Sequence, residues 1–278
     1  MTLPFTKMHG IGNDFVVIDA RQTPFPIDTS RLTAMADRHT GVGFDQLLTL
    51  EPAQRTDCAY RYGIWNADGS SAGQCGNGAR CVAAWLHRAG AIEAGRQVRL
   101  ESPAGAVGVC VLDDGVVAID MGEPDFTPAS VPFDAPNQAA SYALDVAGET
   151  LTIGVVSMGN PHALMEVTDL AAPHIDQLGP RVTRHPRFAE QCNVGFAQVI
   201  DASHVKLRVH ERGAGWTRAC GTGACAAAAV LRLRDRVDER VHVQLPGGEL
   251  IIAWPGPGHR LWMTGPASFV FEGQWLDD

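Results

Sequence analysis

The chain holds only two lysines, Lys7 and Lys206, and neither sits in a recognisable cofactor motif, which disfavours pyridoxal phosphate. It has no CxxC pair and no Cys/His cluster at zinc-finger spacing, so structural metal is not expected. The nearest spacings, Cys75 to Cys81 and Cys220 to Cys225, have too few partner ligands nearby. No apolar run is long enough for a membrane span, since the longest, Ala219 to Leu231, contains two glycines. Met1 to Asp14 lacks a sustained apolar stretch behind a basic start, so no secretory signal is expected. Basic excess is missing too. With 22 Lys+Arg against 31 Asp+Glu, the net charge of −9 argues against a general role on nucleic acid or a membrane surface. A few local donors can still bind an anionic small molecule.

What is present describes an ordinary globular protein, with 45% hydrophobic and 19% charged residues in 278. That length holds two compact domains or one large one. Seven cysteines are an odd number without an export signal, and they read as reduced thiols in the cytoplasm.

Five blocks recur in the same order, at a nearly constant offset of 143 to 152 residues. Gly12-Asn13 matches Gly159-Asn160, and Val42-Gly43-Phe44-Asp45-Gln46 matches Val194-Gly195-Phe196-Ala197-Gln198. Gln74-Cys75-Gly76-Asn77-Gly78-Ala79-Arg80-Cys81 matches Ala219-Cys220-Gly221-Thr222-Gly223-Ala224-Cys225-Ala226. Weaker matches by type pair residues 100–105 with 243–248 and 119–122 with 262–265. Any one match is weak, but the common order marks an internal duplication. The join is expected near residue 120, where Pro124, Pro128, Pro132 and Pro136 follow in a segment read as a solvated linker or surface loop.

The local pattern is mixed. Residues 15–18, 60–65, 107–111, 116–121, 205–210 and 250–254 read as strands, with Asp113-Asp114-Gly115 as a hairpin turn. Helices are expected over 29–39, opened by a Thr or Ser cap, over 79–88 with Gly90 as its stop, and over 224–234. Short strands outnumber helices. The fold class is therefore α+β, with two pseudo-symmetric domains, each a mixed, largely antiparallel curved sheet wrapped around a central helix. The domains are expected at 1–120 plus 266–278, and at 121–265.

Cys75 and Cys220 each stand just ahead of a glycine turn and a helical run. A thiol at a helix start is easier to ionise, because unpaired N–H groups and the macrodipole favour negative charge there. The N–H groups of Gly76 and Asn77, and of Gly221 and Thr222, are expected to form an anion nest for a carboxylate. One thiol acting as base and the other as acid suits inversion of a carbon centre. Cys58, Cys110 and Cys192 read as buried small hydrophobes, and Cys81 and Cys225 as packing residues inside helices. Asn66 and Glu211 each stand nine residues before a block cysteine, at a strand end. Arg212 offers a bidentate partner for a carboxylate, and His162 is a candidate tuner of a nearby thiol.

At these residues the chain closely resembles the diaminopimelate epimerases. The resemblance rests on Met8-His9-Gly10-Ile11-Gly12-Asn13-Asp14-Phe15, Gly41-Val42-Gly43-Phe44-Asp45-Gln46, Asn66-Ala67-Asp68-Gly69-Ser70, Met158-Gly159-Asn160-Pro161-His162, Glu211-Arg212-Gly213-Ala214-Gly215 and both cysteine blocks. It implies cofactor-independent conversion of LL-2,6-diaminopimelate to the meso isomer in lysine and cell-wall precursor synthesis, with the site in an interdomain cleft. Cys75 and Cys220 would be the acid–base pair. Asn13, Gln46, Asn66, Asn160, Asn193, Glu211 and Arg212 would line the pocket, and Gly76, Asn77, Gly221 and Thr222 would bind through backbone N–H groups. His162 and Glu211 would adjust the thiols. The last strand, near Ser268 to Phe271, would return to the first domain, and Phe271 would lie at a homodimer contact. The family commonly has an acidic residue where this chain has Trp216, a difference read as packing. A proline or hydroxyproline racemase and a dithiol redox protein are the rival readings. The polar set Asn66, Glu211 and Arg212 disfavours the first, and the missing CxxC the second.

Overall fold

A computed structural model describes residues 2–73 and 75–276. Gln74, the first residue of the leading cysteine block, lies outside the described residues. The chain divides into two compact units, residues 1–120 with 264–278, and residues 121–263.

The first unit runs β1 (Thr2–Gly10), β2 (Asn13–Asp19), α1 (Thr29–Ala36), β3 (Gln46–Pro52), β4 (Tyr60–Asn66), α2 (Gly76–Arg88), β5 (Gln97–Ser102), β6 (Gly105–Val111) and β7 (Val117–Asp120). The second runs β8 (Tyr142–Val146), β9 (Glu149–Ser157), β10 (Pro161–Glu166), α3 (His174–Thr183), β11 (Asn193–Asp201), β12 (His204–Glu211), β13 (Gly215–Thr217), α4 (Gly221–Leu233), β14 (Arg240–Leu245) and β15 (Gly248–Ala253). β16 (Trp262–Gly265) spans the boundary, and β17 (Ser268–Leu276) belongs to the first unit.

Within each unit the strands pair by one rule. β1–β2, β3–β4 and β5–β6 are antiparallel, while β2–β3 and β4–β5 are parallel. β9–β10, β11–β12 and β14–β15 are antiparallel, while β10–β11 and β12–β14 are parallel. The outer strand of each set is antiparallel again, β17 on β1 and β8 on β9. The duplication in sequence is thus a duplication of topology.

Each sheet curves about one helix. α2 packs on β1, β2, β3, β6 and β7, and α4 on β9, β10, β11, β12, β14 and β15. A helix enclosed on so many sides is expected to be small or apolar all round; α4 meets this with Ala224 to Leu231 all buried, whereas α2 buries Asn77 and Arg80 as well. The sheet makes room as well: a Cβ on Gly154 of β9 would lie 2.3 Å from Val230 Cγ1 of α4. α1 and α3 cover satellite cores, Leu32 and Met35 with Val16, Ile18 and Leu47, and Ile175 and Val182 with Phe133, Leu144 and Phe196.

Several local readings change. α1 stops at Ala36 rather than His39, and its cap is Asp28, whose carboxylate accepts from Ser30 N–H at 2.9 Å. It stops because Asp37 turns extended and accepts from the N–H groups of His39 and Thr40. α2 and α4 each begin three residues earlier than the alanine-rich runs suggest, so Gly76 and Gly221 are the first helical residues. The proline-rich stretch is a solvated loop only at its end, where Pro136 is exposed. Pro124, Phe126, Pro128, Val131 and Phe133 are buried, and Val131 and Phe133 join the second unit's core. Cys58 and Cys110 are partly exposed, not buried; Cys192 is buried as expected. Trp216 packs against Phe196 at 5.7 Å and His210 at 5.3 Å, with Arg208 over its ring. It is a packing residue.

Candidate active site

Cys75 is the N-cap of α2, with an extended backbone (φ −145°, ψ 109°), and its sulfur accepts from Gly78 N–H at 3.4 Å. Cys220 is the N-cap of α4 with nearly the same backbone (φ −114°, ψ 101°). Both helices run thirteen residues. A cysteine in the cap position holds its sulfur over amides that have no intrahelical acceptor. Gly76, Asn77, Gly221 and Thr222 supply the first two amides of each helix, which is where an anion is best received.

Around Cys75 the β1–β2 turn does the positioning. Ile11 and Gly12 both take positive φ, 47° and 90°, the requirement of a two-residue hairpin of the primed type. The turn delivers Asn13 at the start of β2. Asn13 Oδ1 accepts from Asn77 Nδ2 at 3.1 Å and from Cys75 Sγ at 3.8 Å, within sulfur's longer reach. Gln46 and Asn66 oppose each other across β3 and β4, with Gln46 Nε2 donating to Asn66 Oδ1 at 2.9 Å. Tyr62 is fully buried on β4; burial, and then the nearby Cys75, hold its phenol above the usual value.

Cys220 lies deeper, 3% exposed. Burial, followed by the Glu211 carboxylate, holds its thiol well above the ordinary value; the Thr222 hydroxyl and Gly223 N–H pull weakly the other way. Glu211 ends β12, and Thr217 Oγ1 donates to its Oε1. His162 Nε2 meets Asn160 Oδ1 at 2.9 Å, and Asn160 reaches Thr222 Oγ1 at 3.4 Å. Asn193 opposes His162 in register, and its Oδ1 accepts from Arg212 N–H at 2.9 Å. Arg212 Nη1 donates to Glu190 O. Burial and then the Arg212 charge drop His162 to about 3, so its ring is neutral at physiological pH.

The first unit therefore brings Asn13, Cys75 and Asn77 together, with Gln46 and Asn66 as a pair; the second gathers Asn160, His162, Asn193, Glu211, Arg212, Cys220 and Thr222. Phe271 stands apart on β17, 47% exposed and edge-on to Phe5 at 5.9 Å. Cys81 and Cys225 are buried inside their helices, and burial pushes Cys81 up to about 12. Among the described residues no group of three or more His, Cys, Asp or Glu side chains is placed to share a metal ion. Four residues beside the site escape sequence reading: Lys7, Arg38, Asp45 and Arg80. Lys7 Nζ meets Asp14 Oδ2 at 2.6 Å, and Arg38 bridges Asp14 and Asp45, each at 2.8 Å. The signal was there, since Asp14 and Asp45 adjoin Asn13 and Gln46 in the chain. These cations hold the Asp14 carboxyl well below the usual carboxylate range, against the opposing effect of burial.

Comparison with known proteins matches this frame. A sequence profile described as diaminopimelate epimerase matches residues 5–127 and 154–270. The diaminopimelate epimerase of Xanthomonas axonopodis pv. citri (strain 306) is 53% identical over 98% of this chain and 96% of its own. That of Stutzerimonas stutzeri (strain A1501) is 48% identical over 99% of each chain. Among solved structures, a hydroxyproline epimerase from Agrobacterium vitis superposes with a TM-score of 0.68 at 17% identity, over 98% of this chain and 92% of that one. That likeness speaks to the fold.

Proposed function

The chain belongs to the diaminopimelate epimerase family, and on that premise we propose that it interconverts LL- and meso-2,6-diaminopimelate with Cys75 and Cys220 as its two bases. One observation carries the assignment of roles: each unit caps its enclosed helix with a cysteine in extended backbone.

In the forward direction Cys75 Sγ takes the α-proton, and the electron pair passes to the α-carbon and its carboxylate. Cys220 S–H then delivers its own proton to the opposite face, leaving Cys75 a thiol and Cys220 a thiolate. Cys220 suits the donor role because burial and Glu211 keep its proton on. Cys75 suits the acceptor role because a helix N-terminus and Gly78 N–H support negative charge on its sulfur. Proton transfer by a positioned side chain supplies roughly 10² to 10⁴-fold. The remainder falls to the amides of both helix starts, which would hold the reacting carboxylate as charge builds on it. Gln46, Asn66, Asn160, Asn193 and Arg212 would recognise the distal amino-acid head. The route calls on no electrophilic cofactor.

The two compact units are the two epimerase domains in this reading, the protein works in the cytoplasm, and two copies form a dimer. The dimer is supported by β17, which carries Val270, Phe271 and Leu276 with roughly half or more of each side chain exposed. Among the described residues no helix is long and apolar enough to cross a membrane. Purified protein incubated with LL-diaminopimelate and no added cofactor tests the activity. Chiral chromatography should show the meso isomer, and unchanged substrate would overturn the assignment.

A further inference from the structure

Asn13 sits in a chain of hydrogen bonds whose two ends are chemically unequal. At one end Arg80, fully buried on α2, donates from Nη2 to Asn77 Oδ1 at 2.8 Å, and from Nε to Pro266 O at 3.2 Å. At the other, Asp45 Oδ2 accepts from Asn13 Nδ2 at 2.8 Å and from Asp14 N–H at 3.2 Å, while Asp45 Oδ1 is held by Arg38 at 2.8 Å. A guanidinium only donates and a carboxylate only accepts. Arg80 therefore claims the oxygen of Asn77, Asn77 must offer its N–H to Asn13 Oδ1, and Asn13 must offer its N–H to Asp45. Turning either amide over would set donor against donor at one end and acceptor against acceptor at the other. The oxygen of Asn13 is thus fixed on the side of Cys75 Sγ, 3.8 Å away.

We infer that Asp45 and Arg80 are positioning residues, which fix the Asn13 amide so that Cys75 faces a hydrogen-bond acceptor. This rests on the reading of Cys75 as a base. Without the lock, Asn13 would turn its N–H toward the sulfur and join Gly78 N–H there. Two donors would stabilise the thiolate and weaken it as a base toward an α-carbon, whose proton demands a matched acceptor. With the lock in place, the proton that Cys75 takes up finds Asn13 Oδ1 ready to accept it. Among the described residues, the other charged and titratable groups around Cys75 include Tyr62 from β4, Arg80 and Cys81 on α2, and the Lys7–Asp14–Arg38 cluster beyond Asn13.

The test reads Cys75 itself and needs no turnover. In a Cys220→Ser background, the pH dependence of Cys75 alkylation by iodoacetamide is followed by peptide mass mapping. Asp45→Ala takes away the acceptor that holds Asn13 Nδ2 away from the sulfur and leaves Asn77 N–H as the remaining constraint; it should lower the midpoint by roughly half a pH unit or more, the scale of one lost hydrogen bond to the neutral form. Asp45→Asn should keep the parent midpoint, because its amide oxygen still accepts from Asn13, while Arg38 keeps its pairing with Asp14. Asn13→Ala should shift as Asp45→Ala does, and adding Asp45→Ala to it should change nothing more. An unmoved midpoint in Asp45→Ala, or equal shifts in Asp45→Ala and Asp45→Asn, would overturn the lock. Should Asp45→Ala not fold, an unmoved midpoint in Asn13→Ala overturns it equally. If the wild-type protein does not epimerise diaminopimelate, the functional reading fails while the alkylation result still decides the lock.

Discussion

Glu211 stands between Thr217, whose hydroxyl donates to its carboxylate, and Cys220, whose thiol burial and then the Glu211 charge hold well above its ordinary value. Thr217 ends β13 and Cys220 caps α4, the two elements that follow β12, so the end of one strand sets the chemistry of the next helix cap. A carboxylate beside a buried thiol opposes ionisation twice, by its charge and by accepting the S–H. Replacing it with the isosteric amide in Glu211→Gln removes the charge. Cys220 should then ionise at lower pH, seen as faster alkylation at pH 8, while epimerisation falls about 10²-fold, the share of a displaced acid–base partner. Cys220 reactivity equal to wild type would show that Glu211 does not tune it.

Gly223 offers a purely steric test. A Cβ there would lie 2.9 Å from Val209 Cγ2 and 3.1 Å from Cys220 Sγ. The valine side chain and the sulfur must both give way in Gly223→Ala. A sulfur moved by a fraction of an ångström loses its aim, so kcat should fall at least about tenfold. Overpacking at one side chain costs about 1–3 kcal/mol, readable in urea unfolding. Full activity in the folded variant would mean that the Cys220 sulfur position is not critical.

Stability should fall away on both sides of neutrality, for different residues. His162 is neutral in the fold, with its ordinary value of 6.5 lowered to about 3 by burial. The unfolded chain binds that proton first, so the contribution is whole above pH 6.5 and is lost as pH falls toward 3. Asp14, also lowered, adds its loss below the usual carboxylate range. On the alkaline side burial raises Cys81 from 9.0 to about 12, so its contribution is whole below pH 9 and is lost as pH rises through 12. Denaturant midpoints measured from pH 4 to 10.5 should form a dome. His162→Gln should flatten its acid limb and Cys81→Ala its alkaline limb; limbs unchanged by these substitutions would contradict the assignments.

The cysteine blocks, the strand ends at Asn66 and Glu211, and the repeated topology were legible because each depends on spacing within a short stretch. α3 was not read, although Ile175, Leu178 and Val182 recur at helical intervals, because Gly179 and Pro180 interrupt the pattern. The proline segment misled for a related reason. Pro124, Phe126 and Pro128 alternate inward, Pro128 opening a 3-10 turn, a period-two signal hidden by residues usually assigned to loops. The glycines in the first turns of α2 and α4 read as turns, yet they are helical, and at Gly78 and Gly223 the missing side chain admits close neighbours, Leu48 and Phe15 at the first and Val209 at the second. The charged support of Asn13 depends on pairing between strands and on Arg38 reaching across from the end of α1, and its local trace is the adjacency of Asp14 and Asp45 to Asn13 and Gln46.

The central claim is two-base inversion, and solvent isotope transfer tests it most directly. LL-diaminopimelate is incubated with the protein in D₂O without added cofactor, and both isomers are analysed by mass spectrometry during the first few per cent of reaction. With separate donor and acceptor thiols, the meso product should carry one deuterium while the remaining LL substrate carries none. Meso product that retains its original proton, or equal early labelling of both isomers, would contradict the account.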